Sequence, residues 1–182
     1  MWITGHTPAT WKISTTILLH KRDDPTHLAN KLPRGLHLTI YKLWSRFVTA
    51  ILSEFAEEHA IHSASQEGFR RNHNTGRQLQ HLVNCLWDAA RYGRSIYVMY
   101  VDLTNAFNTV SHAKLLQIMQ DLGFPQIAIQ VVRDLYTDTF SSVQLDKAAG
   151  LTTASVRVGR GTIQGDTLSP LLFLIYLEPL LR

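Results

Sequence analysis

The chain has 182 residues, of which 45% are hydrophobic and 18% charged, with a formal net charge of +4. That is the size and balance of one folded domain, neither disordered nor membrane-like. The lone cysteine, Cys85, excludes a disulfide framework and points to an intracellular setting. The basic excess permits a polyanionic partner without requiring one, because the lysines and arginines are scattered. Nine histidines include the close pair His59 and His62, but no pair of cysteines completes a four-ligand zinc site. The N-terminus has no signal-peptide pattern. The longest apolar run, 168–181, is interrupted by Ser169, Pro170, Glu178 and Pro179 and falls short of the ~20 residues of a membrane span, so no membrane partner is expected.

Residues 11–20 alternate loosely and are rich in Thr and Ile, the pattern of a strand, and 21–25 follow as a charged turn. Pro33 and Gly35 make 31–38 read as irregular. From Thr39, the spacing of Tyr41, Leu43, Trp44, Phe47, Val48, Ile51, Leu52 and Phe55 predicts an amphipathic helix. A polar connection over 63–75 leads to a second helix. Leu79, Leu82, Val83, Leu86, Trp87 and Ala90 form its expected buried stripe, and Gly93 ends it. Next comes a nearly continuous apolar run, 96–101, which predicts a strand over 95–103 buried on both faces. Ser111 is a good N-cap for a helix through Leu115 and Met119 that Gly123 closes, and Pro125 can begin another through Val132 and Leu135. Residues 141–145 and 154–158 read as a strand pair joined by 146–153. Pro170 opens a last helix that Pro179 limits. There is no repeat and no linker; the chain reads as one α+β unit.

The expected strand ends on Asp102, where a lone acid is costly unless something positive meets it. A metal ion is one candidate; a turn-capping aspartate is the plainer one. Residues 95–112, SIYVMYVDLTNAFNTVSH, and 164–173, QGDTLSPLLF, together resemble motifs A and B of reverse transcriptases, in the form used by non-LTR retrotransposons. The resemblance implies a right-hand polymerase fold represented by its fingers and the first part of its palm. Fingers would run to about residue 94 and palm over 95–112, with fingers again over 113–160 and palm over 161–182.

The implied activity is RNA-directed DNA synthesis, a nucleotidyl transfer from deoxynucleoside triphosphates to a DNA primer on an RNA template. The implied cofactor is magnesium, with manganese as a substitute, held by the Asp102 carboxylate and the Leu103 carbonyl. Phe107 would lie beneath the incoming sugar and exclude a 2′ hydroxyl; an ordinary core aromatic is the alternative. Gln164 would bond near the sugar or base, and Gly165 would let backbone approach the nucleotide. Ser169 and Pro170 would begin the helix beneath the template-primer. Gln66, Gly68, Phe69 and Arg70 match a fingers block more loosely, and Arg70 could meet a phosphate.

One position departs from the family: Leu32 stands where an arginine on the triphosphate is usual, with Lys31 or Arg34 as substitutes. The family's paired-aspartate motif, the rest of the palm and the thumb are expected beyond Arg182, or their place is taken by a partner. Residues 1–182 alone should then carry out no templated synthesis. Leu171, Leu172, Phe173, Ile175 and Leu177 should lie on an uncovered apolar face. The alternative is a catalytically silent remnant that acts at most as a nucleic-acid-binding or structural module.

Overall fold

The computed structural model describes residues 6–146 and 149–182. A 3-10 turn over Ala9–Lys12 leads into β1 (Ile13–His20). β2 (Lys31–Leu36) returns antiparallel, from Thr15 opposite Leu36 to His20 opposite Lys31. The irregular segment expected here is therefore a strand. It tolerates Pro33 because it lies at the sheet edge with β1 as its strand neighbour, so the missing N–H costs no ladder bond. α1 (Thr39–Glu58) buries Tyr41, Ser45, Val48, Leu52 and Ala56, one stripe at three- and four-residue spacing. α2 (Thr75–Arg91) is capped by Asn74, whose side chain accepts the Arg77 N–H.

α3 (His112–Asp121) starts from a Ser111 cap and ends at Gly123, whose φ of +82° suits glycine. α4 (Gln126–Tyr136) follows Pro125. β3 (Phe140–Asp146) then lies parallel to β1, with Ile13 opposite Phe140 and Thr16 opposite Val143. On the far side of β3 are the short antiparallel strands β4 (Leu151–Thr152) and β5 (Val156–Arg157). The turn expected over 146–153 lies partly outside the described residues. α5 (Leu168–Leu181) completes a mixed α+β fold.

The core lies where α1, α3, α4 and α5 meet, around Val48, Leu52, Leu115, Met119, Val132, Leu172 and Ile175. α5 is its centre, which corrects the expectation of an uncovered face at 171–177: Leu171, Leu172, Leu174 and Ile175 are buried. Pro179 does not stop the helix, because so near the C-terminus it removes at most one ladder bond. One residue earlier, the buried Glu178 carboxylate accepts the Ser63 N–H at 3.0 Å and lies 3.2 Å from His62 Nδ1.

Two expectations fail on the other side of the molecule. Leu79, Leu86 and Trp87 of α2 are exposed, and none of the residues of that helix is buried. Residues 95–103 form no strand, and Tyr97, Met99 and Tyr100 are 95%, 84% and 83% exposed. A strand needs neighbours to take its N–H and C=O groups, and no described strand pairs with this segment. Among the described residues no helix is long and apolar enough to cross a membrane.

Candidate functional site

The two segments singled out by sequence meet through backbone. Asn105 takes a left-handed conformation (φ +53°) and starts a 3-10 turn over Ala106–Thr109. The Thr162 N–H then donates to the Phe107 carbonyl and the Gly161 N–H to the Val110 carbonyl, both at 2.8 Å. Glycine is required at 161: φ is +88°, and a Cβ there would come within 3.0 Å of Asn108 Cα. Side chains extend the join, with Gln164 Nε2 donating to Asn108 Oδ1 at 2.8 Å. The Phe107 ring lies 4.8 Å from that of Phe173 on α5, so it is anchored as well as placed.

The outer edge of β2 closes on the same loop. Gly35 donates its N–H to the Gln164 carbonyl at 3.1 Å. A Cβ on Gly35 would fall 2.6 Å from that oxygen, and one on Gly165 (φ +86°) would fall 3.0 Å from the Gly35 carbonyl oxygen. Between these walls lies a pocket of about 400 Å³, lined by Leu32, Arg34, Phe107, Gln164, Gly165 and Pro170 among others. An adjoining recess of about 270 Å³ shares Leu32, Phe107 and Gln164 and adds Lys21, Lys31, Asn105 and Ala106. The paired recesses thus have an aromatic wall, a backbone floor and three cations at the rim. The Arg34 side chain has no hydrogen-bond or ion-pair partner among the described residues.

Asp166, which also lines the pocket, is the centre of a polar cluster that sequence reasoning did not identify. The Asp166 carboxylate accepts the Tyr41 hydroxyl at 2.8 Å and the Ser45 hydroxyl on its other oxygen. Burial, then the neighbouring carboxylate, raise the Tyr41 pKa well above its ordinary value, so this phenol stays a donor. Burial pulls the His37 pKa down, with Asp166 opposing. Neither ring nitrogen of His37 has a hydrogen-bond partner among the described residues. The available signal was Ser45, a polar residue on the apolar stripe of α1, one turn beyond Tyr41.

The other sequence-singled residues are placed as follows. Ser169 is buried and donates its hydroxyl to the Ile163 carbonyl at 2.6 Å, while Pro170 lines the larger pocket. Asp102 and Leu103 are exposed and line neither recess. Arg70 is not brought to the pocket. Its guanidinium forks onto Glu57 at 2.9 and 2.7 Å and also donates to the Ser63 and Gln66 carbonyls, fixing the connection after α1. As a metal site, Asp102 offers one exposed carboxylate beside the Leu103 carbonyl. Among the described residues no group of three or more His, Cys, Asp or Glu could hold an ion. These donors fit one corner of a magnesium site and do not make a two-ion centre.

Comparison with known proteins gives the family. The family model described as reverse transcriptase (RNA-dependent DNA polymerase) matches residues 20–182. The chain is 29% identical over 183 residues to the Retrovirus-related Pol polyprotein from type-1 retrotransposable element R2 of Popillia japonica, covering 97% of this chain and 24% of that protein. It is 28% identical over 173 residues to the RNA-directed DNA polymerase from mobile element jockey of Drosophila melanogaster, covering 94% and 18%. A probable RNA-directed DNA polymerase from transposon X-element of the same fly is 28% identical over 174 residues, covering 93% and 18%. The chain thus spans a quarter or less of the length of each of these relatives. It belongs to the reverse transcriptase family, in the form carried by non-LTR retrotransposons.

Proposed function

We propose that this chain is the fingers and first palm portion of an RNA-directed DNA polymerase, and that the pocket beside Phe107 takes the incoming deoxynucleoside triphosphate. The observation that carries this reading is convergence: Phe107 lines one pocket with Arg34 and with Gln164, Gly165 and Pro170, which lie more than fifty positions further along the chain. Phe107 forms the wall against the sugar, and its contact with Phe173 keeps that wall from yielding to a 2′ hydroxyl. Gly165 leaves room for the nucleotide over the backbone. Arg34, Lys31 and Lys21 supply the positive charge that Leu32 does not. Within a complete polymerase, the Asp102 carboxylate and the Leu103 carbonyl would help hold magnesium, which would supply positive charge for the phosphoryl transfer. The RNA template and DNA primer are the remaining substrates, and Ser169 and Pro170 begin the helix that supports them.

Equilibrium binding of deoxy- and ribonucleoside triphosphates to residues 1–182 tests the reading. The wild type should favour the deoxy form, and Phe107→Ala should bring the two affinities within about twofold by removing the steric wall. An unchanged preference would return Phe107 to a packing role. The departure at Leu32 favours a second reading, a silent remnant with only polyanion affinity. Nucleotide binding would then be lacking, while binding to an RNA–DNA hybrid would weaken steeply with salt.

A further inference from the structure

The least expected group near the pocket is the Asp166 carboxylate. It is only 6% exposed, it has no cation within ion-pair distance among the described residues, and its partners are the neutral hydroxyls of Tyr41 and Ser45. A buried acid without a cation is a poor device for joining helices, because an apolar residue of similar volume would usually be at least as stabilising. Its position gives it another use. Tyr41 and Ser45 are one turn apart on α1, and Ser45 also lies 2.8 Å from Thr167 Oγ1. The short piece of chain from Gly35 to Ser45 therefore grips the 164–167 turn at both ends. Gly35 bonds the Gln164 carbonyl on one side, and the two hydroxyls bond Asp166 on the other. This same arm carries Arg34 one residue before Gly35.

We propose that Asp166 is a positioning residue for the nucleotide pocket: its carboxylate locks the Gln164–Gly165 turn to the β2–α1 arm, fixing the distance between the pocket floor and the Arg34 guanidinium. The proposal deepens the nucleotide reading given above and rests on it. Without the carboxylate, Tyr41 and Ser45 face a buried void, and the arm keeps the turn through the Gly35–Gln164 and Ser45–Thr167 bonds, one at each end. The helices α1 and α5 still pack through Val48, Leu52, Leu172 and Ile175. Loss of Asp166 should thus be felt in the turn and in nucleotide affinity, not in helical content.

The test combines amide hydrogen exchange over 163–167 with equilibrium binding of deoxythymidine triphosphate and magnesium, both on residues 1–182. Asp166→Ala should speed exchange at these amides and weaken binding, each about tenfold, with far-UV circular dichroism retained. Asp166→Asn keeps one acceptor and should recover most of both losses. Glu178→Gln alters an equally buried acid on the far turn of α5 and should change neither. If Asp166→Ala does not fold, Tyr41→Phe and Ser45→Ala, which spare the carboxylate, carry the same test with smaller effects. Unchanged exchange and affinity in the Asp166 variants would overturn the proposal. So would an equal loss in Glu178→Gln, which would make the effect one of general packing. A wild type that binds no nucleotide would sink the nucleotide reading, while the exchange ratio would still decide whether Asp166 holds the turn.

Discussion

Residues 96–101 and 171–175 are both continuous apolar runs that the fold treats in opposite ways. Leu172 and Ile175 are completely buried, whereas Tyr97 and Met99 are almost completely exposed. The difference lies in how each segment satisfies its backbone. α5 closes its own hydrogen bonds, so it needs only side-chain contacts, which α1 and α3 provide. An extended segment must find another strand before burial is affordable, and the strands present here pair among themselves on β1 and β3. Burial of α5 is therefore settled within the chain described, while burial of 96–101 depends on a partner strand.

The widest separation between the two regions should appear on truncating side chains. Leu172→Ala removes a fully buried residue from the centre of the core and should cost about 2–5 kcal/mol. Trp87→Ala removes a larger side chain, yet one 74% exposed on α2, and should stay within about 0.5 kcal/mol. Urea midpoints at constant m-value would report both. A loss above ~1 kcal/mol for the Trp87 variant would mean that α2 packs in solution, and the contrast would collapse.

A smaller effect comes from two glycines with positive φ. Gly93 (φ +57°) closes α2 with open space where a Cβ would stand, while Gly165 (φ +86°) lies against the Gly35 carbonyl. Gly93→Ala should cost about 1 kcal/mol from backbone conformation alone. Gly165→Ala adds a contact with backbone that cannot swing aside and should reach the upper part of about 1–3 kcal/mol. It should also disturb the pocket. Equal costs, measured by the same unfolding experiment, would show that the β2 edge gives way and that the tight approach at Gly165 is not enforced.

The same physics explains what could be read from the sequence. α1, α3 and α4 were legible because their signals are local: apolar spacing, a Ser111 cap, Gly123, Pro125. The joining of Phe107 to Gln164 was legible only through family resemblance, since no local rule links positions so far apart. β2 does not read as a strand because Pro33 and Gly35 usually punctuate loops; their tolerance follows from an edge position that only the tertiary fold reveals. Asp166 reads as part of a motif and not as a buried hub, because its partners lie more than 120 positions away. The stripe of α2 and the 96–101 run gave correct apolar patterns but no information on what would cover them.

The finest probe is acid, applied where the packed and exposed regions join. Arg70 holds Glu57 through its forked hydrogen bonds, and burial only partly opposes this, so the Glu57 pKa lies below its ordinary 4.5. A carboxyl whose folded pKa is depressed contributes stability above its unfolded pKa, and that contribution is lost as pH falls through the folded value. Wild type should therefore exceed Glu57→Gln by roughly 0.5–1 kcal/mol near neutrality, as expected for a partly exposed pair. The gap should stay level down to about pH 4.5 and close below it. Hydrogen exchange should localise the loss to the end of α1 and residues 63–70, where Arg70 also bonds two carbonyls, while amides at the centre of α5 stay protected. A gap that persists unchanged through the acid range would show that Glu57 contributes shape and not charge. Simultaneous exposure of α5 would show that the boundary and the core open as one unit.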